Sequence, residues 1–240
     1  MANTKFVWDF DVPEGPFWAD LEMTVARNFL TCFTPEEQQA MTFDGTLPKD
    51  EKLELLLARS HAKMAQESAA AAPKPLWEAD FQKWANLQLS LYTMNLNLDR
   101  LDACEAVLRE WADRGTTDIA RAVTRNMLST VKEKQGHYAE AEALARGVLP
   151  WMQTHERLGV DSPQAFGTTR SIIRAVWKQG RYAEAEVLVD DYDRLVDNMG
   201  DSKFVKYQDD ERRYLAELME QLRAWRDEQA PAGAAKTATV

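Results

Sequence analysis

The strongest constraint on this chain is a segment that it contains twice. Gln135-Gly136-His137-Tyr138-Ala139-Glu140-Ala141-Glu142 recurs 44 residues later as Gln179-Gly180-Arg181-Tyr182-Ala183-Glu184-Ala185-Glu186, and only His137 and Arg181 differ. Self-similarity at a period of this size is the mark of stacked helix pairs, each of which needs a neighbour to bury its apolar face. No stretch alternates apolar and polar residues with period two, so the spacing predicts an all-α fold.

Helix signals can be followed along the whole chain. Trp18, Leu21, Val25, Phe29 and Phe33 recur at three and four residues and predict an amphipathic helix starting near Pro16. Thr34-Pro35-Glu36-Glu37 has the capping-box pattern and starts a short second helix. Leu53, Leu56, Leu57 and Met64 form the stripe of a third, over about 50–67. Ser68 to Pro75 (SAAAAPKP) breaks it with two prolines and is the best linker. Beyond it, Trp77 to Asn97 reads as one helix, and others follow over about 101–111 and 118–134. The next helix starts at Tyr138. Ser162-Pro163, an N-cap before proline, begins one that runs to Gln179, and its partner covers 182 to about 198. Asp201-Ser202 is expected to start a last helix with Leu215, Leu218, Leu222 and Trp225 as its seam, which suits a cap with one polar face.

The residues Gly136-x-Tyr138-x-x-Ala141 and Gly180-x-Tyr182-x-x-Ala185, with Leu158-Gly159-Val160-Asp161-Ser162-Pro163 between them, resemble the tetratricopeptide repeat in its kinesin light chain-like form. Ser162 stands where that form usually has histidine. A weaker copy places Leu101 at the aromatic position, Cys104 at the alanine and Asp99 at the glycine. The resemblance covers about residues 80–200. It implies a right-handed array of antiparallel helix pairs. Joined to the helix signals above, that gives a repeat domain over 76–228 closed by the C-terminal capping helix, with extra N-terminal helices in 1–75; the tail over 229–240 has nothing to bury and is expected to be disordered.

In that family the first helix of each pair lines the concave, ligand-binding face. Carried over by position, the resemblance makes Asn126, Thr130, Lys134, Arg170, Arg174, Trp177 and Lys178 the expected ligand-binding residues, with Asn86, Leu89 and Thr93 facing inward in the weak copy. Arg170, Arg174 and Lys178 lie four apart, which makes a basic ridge suited to a carboxylate or phosphate. The competing reading pairs them with Glu133 or with the acidic partner helix. The repeated glutamates are expected to face water.

The formal net charge of -10 disfavours nucleic acid as a partner. Two cysteines without a CxxC partner fit a reducing compartment, and acids occupy the N-terminal stretch where a leader needs an apolar core. No run of about 18 apolar residues is present, so a cytoplasmic protein is expected. His61, His137 and His155 form no metal motif, and no GxSxG, P-loop or GxGxxG occurs, so neither metal nor cofactor is expected. The leading expectation is a non-enzymatic adaptor that holds a peptide or protein segment, acidic where it meets the ridge, in the groove. A reading from another class stays open: a small-molecule-binding protein or enzyme, with an anionic or aromatic ligand in an aromatic-lined, arginine-containing pocket that residues 1–75 close. Self-association through the Leu215–Trp225 seam is the third.

Overall fold

In the computed structural model, residues 6, 9–115 and 117–229 are described. The disordered tail expected over 229–240 therefore lies outside them from residue 230 on. The described residues contain eleven α-helices, two 3-10 turns and no strand. The helices are α1 (Met23–Leu30), α2 (Pro35–Ala40), α3 (Lys49–Ala71), α4 (Leu76–Ala79), α5 (Phe81–Asn97), α6 (Leu101–Arg114), α7 (Asp118–Lys134), α8 (Tyr138–Thr154), α9 (Pro163–Lys178), α10 (Tyr182–Asp197) and α11 (Gln208–Gln229). Among the described residues none of these helices is long and apolar enough to cross a membrane. The chain divides inside α7, between Met127 and Leu128, into two compact units. The 68–75 stretch lies within the first unit.

In the first unit α1 and α3 pack on α5, which pairs with α6. Its core holds Phe17, Trp18, Val25, Phe29, Leu53 and Leu56. The first helix is shorter than the periodicity predicts. Residues 15–21 form successive turns, with Trp18 N–H donating to the Gly15 carbonyl and Leu21 N–H to that of Trp18, before α1 begins at Met23. Phe17, Trp18 and Leu21 are nonetheless buried. The capping box at Thr34 forms in both directions: Thr34 N–H donates to Glu37 at 2.9 Å, and Glu37 N–H to the Thr34 hydroxyl at 3.3 Å.

Two further boundaries differ from expectation. The alanines of the linker stretch extend α3 to Ala71, because alanine is the best helix former, and only Ala72 to Pro75 interrupt the helix. The expected single helix from Trp77 is split at Asp80, an extended residue whose carboxylate caps Lys83 N–H at 3.0 Å and starts α5. The face of α5 that the family analogy points inward is covered by α1 and α3. Asn28 donates to the buried Thr93 hydroxyl at 2.8 Å, and Ser60 and Ser90 bond at 2.9 Å.

In the second unit α9 is the central element, packed on α8, α10 and α11. The expected helix start at Asp201-Ser202 is instead a pair of 3-10 turns over 198–201 and 205–207, pinned by fully buried Met199 and Phe204. The Ser202 hydroxyl caps Phe204 N–H at 3.0 Å, and α11 begins only at Gln208, whose amide donates to the Val196 carbonyl at the end of α10. Leu215, Leu218 and Leu222 are buried, while Arg212, Arg213, Glu217 and Glu220 face out, so the seam is used within the chain against α9 and α10.

The two copies of the repeat end their first helices alike. Gly136 and Gly180 have φ of 80° and 78°. His137 N–H returns to the Lys132 carbonyl at 2.8 Å, and Arg181 N–H to that of Val176 at 3.2 Å. The weak copy does the same without glycine. Asp99 has φ of 55°, and Arg100 N–H donates to the Asn95 carbonyl at 2.9 Å. Ala141, Ala185 and Cys104 are all buried at the equivalent position.

Candidate functional site

The candidate site is built on α9. The Ser162 hydroxyl caps Ala165 N–H at 3.3 Å, Pro163 occupies the first turn, and Gly180 stops the helix. Those fixed ends set the register of the ridge. Arg170, Arg174 and Lys178 do share one side of α9, and each has a different partner.

Arg170 is 16% exposed and meets Glu211 of α11, which is 2% exposed. The Tyr192 hydroxyl receives an Arg170 Nη1 bond at 2.5 Å and donates to Glu211 Oε2 at 2.7 Å. Burial raises the Tyr192 phenol well above its ordinary value, against the nearby Arg170 charge. Arg174 forms a fork with Glu133 of α7 through Nε and through Nη2 at 3.1 Å, and also reaches the Ser171 hydroxyl at 3.1 Å. The pairing with Glu133 weighed from the sequence is therefore present. Lys178 places its ammonium 3.7 Å from the centroid of the Trp225 ring.

Trp177, expected to face a groove, is 3% exposed. Tyr182 meets it edge-on at 4.8 Å, and the Arg226 guanidinium lies 4.9 Å above its ring. Its indole N–H is buried without an acceptor. The ring borders a cleft of about 200 Å³, walled by Val189 of α10 and by Met219 and Leu222 of α11. The Glu186–Arg226 pair, at 2.6 Å, stands at its edge.

The remaining expected residues lie on α7. Asn126 and Thr130 are half-buried, and the division between the units passes between them. Lys134 is exposed at the end of α7. Lys134 and Lys178 occupy equivalent positions 44 residues apart, the last residues of α7 and α9. Among the described residues neither has a carboxylate within ion-pair distance.

One repeated glutamate departs from the expectation of water. Glu142 has a side chain only 10% exposed and binds three donors: Arg146 at 2.7 Å, Arg181 at 2.6 Å and Gln179 at 2.8 Å. Burial pushes its carboxyl up, but the bonds from Arg146, Arg181 and Gln179 outweigh that and hold it below the ordinary value. Arg146 also reaches Glu184 of the second copy at 2.6 Å. Arg181, the position at which the copies differ, thus ties one copy to the other. The i,i+4 spacing of Glu142 and Arg146 could have revealed half of this network; the link to Arg181 could not be read from spacing.

Among the described residues no group of histidines, cysteines and acids is placed to hold a metal. In comparisons with known proteins, no family model, curated protein or solved structure matches the chain.

Proposed function

We propose that the chain is a non-enzymatic binding protein of tetratricopeptide-like build, which holds an acidic peptide or protein segment against the faces of α7 and α9. The helix-ending geometry shared by Asp99, Gly136 and Gly180 supports the repeat assignment. The pairing of Lys134 with Lys178 carries the binding reading. Arg170 and Arg174 already have carboxylates, so the charge left to a ligand is that of two lysines at one register on successive first helices. An acidic segment lying across both would gain two ammonium contacts, worth more together than either alone. Cys32 and Cys104, both buried and in no disulfide, suit a reducing, cytoplasmic setting.

A peptide array of acidic, neutral and basic sequences tests this reading. The wild-type chain should retain acidic peptides, and K134E/K178E should lose them by at least about tenfold. Equal retention by the double variant, or a preference for basic peptides, would overturn it.

A further inference from the structure

The first unit contains a cleft of about 540 Å³ between α3, α4, α5 and α6, within the roughly 300–1,000 Å³ typical of small-molecule sites. Its walls carry Trp77 of α4, Trp84 and Leu91 of α5, Val107 of α6 and Met64 of α3. Beside His61 and Ser68 of α3, three polar residues of α5 and α6 line it together. Gln88 is 2% exposed and donates to Glu110 Oε2 at 3.0 Å. The other oxygen of Glu110 lies 3.4 Å from Arg114 Nη2, a loose contact. The Arg114 guanidinium lies 5.2 Å from the centroid of the Trp77 ring.

Arg114 Nε is buried and has no acceptor. A buried N–H on a charged group is costly to leave unbonded, and Glu110 is shared with Gln88. The cleft therefore offers aromatic walls beside a guanidinium that lacks part of its complement. Trp84 is itself braced edge-on by Trp111, at 6.4 Å and 78°. Preformed rings take a flat apolar body with little ordering cost.

We propose that this cleft binds a flat aromatic carboxylate, with the ring system against Trp77, Val107 and Met64, which are half-buried, and the carboxylate accepting from Arg114. The site uses none of the residues of the α7–α9 face, so it stands independently of the peptide reading.

Isothermal titration of the full chain with 2-naphthoate tests it, with 2-naphthylmethanol and cyclohexanecarboxylate as matched probes. One saturable site for 2-naphthoate is expected, with at least about tenfold weaker binding of the neutral and the non-aromatic probe. R114Q should erase the preference for the acid over the alcohol, and W77L should weaken both aromatic probes while circular dichroism stays that of the wild type. K134E/K178E should bind 2-naphthoate as the wild type does, which separates this site from the peptide face. No saturable heat at millimolar 2-naphthoate, equal affinity for acid and alcohol, or an unchanged preference in R114Q would overturn the proposal. Should R114Q fail to fold, an unchanged affinity of W77L for both aromatic probes would overturn it equally.

Discussion

At the scale of single residues, three helix ends show how conformation and side chain trade against each other. A Cβ at Gly136 or Gly180 would meet nothing within 4 Å, so the demand for glycine there is set by φ rather than by space. Gly136→Ala and Gly180→Ala should each cost about 1 kcal/mol. Asp99 occupies the same left-handed region with a Cβ, and Asp99→Gly should raise stability by about 0.5 kcal/mol. Urea denaturation of the three variants checks both signs, and a loss of stability in Asp99→Gly would remove the equivalence of the third turn. The glycine positions were legible because only glycine tolerates that backbone cheaply. The third was legible only by alignment, since aspartate is not by itself a helix-ending signal. Arg170 and Arg174 were legible as a ridge and Glu133 as a competing partner, but Glu211 was hidden, because it lies 41 residues from Arg170 on the capping helix.

At the scale of elements, α11 is fastened by two kinds of contact. Its leucine seam buries apolar area against α9 and α10, and Glu211 accepts from both Arg170 and Tyr192. Removing one member of a buried ion pair leaves the other charge uncompensated. Glu211→Ala should therefore destabilise the chain by about 3 kcal/mol, with hydrogen exchange accelerating first along α11. A variant as stable as the wild type would show that the leucine seam alone holds the helix. The existence of α11 follows from its 3-4-3 spacing, but its start does not. Asp201-Ser202 has the chemistry of an N-cap, yet burial of Met199 and Phe204 holds the intervening chain in 3-10 turns until Gln208. Asp80 shows the converse: a short polar side chain captured a helix N-terminus inside a run whose apolar pattern looked continuous.

At the scale of the whole chain, the carboxylates and the amine shifted by folding predict where stability is lost with pH. Glu142 lies below its ordinary value of 4.5 in the fold. Glu67 does too, through hydrogen bonds from Lys63 first and then Lys83. A carboxyl lowered by folding contributes stability that is fully present above its unfolded value and is lost as the pH falls through the folded one. Lys63 runs the other way. Burial opposes its charge, but Glu37, at 2.5 Å, and Glu67, at 2.7 Å, hold it above 10.5. Its contribution is present below that value and is lost as the pH rises past the folded one. Thermal melts should therefore be level around neutrality and fall below about pH 4.5 and above about pH 10.5, with Glu142→Gln flattening the acid limb. A thiol titration adds a readout at moderate pH. Burial pushes Cys32 up to about 12, so it should stay unreactive toward alkylation until the chain unfolds.

The helical class, nearly every helix from α5 to α10 and the register of α9 could be read before any fold was known. Those depend on local signals, which are periodicity, caps, proline and glycine, and the duplicated segment repeats them in phase. What the ridge residues face was set by packing between distant helices. Whether an arginine meets a ligand or a glutamate depends on which distant helix lies beside it. That choice turns Arg170 and Arg174 into braces, buries Trp177 and Glu142, and leaves Lys134 and Lys178 without a carboxylate among the described residues. It also gathers Trp77, Trp84 and Arg114 around one cleft, although they sit on three separate helices and no spacing links them.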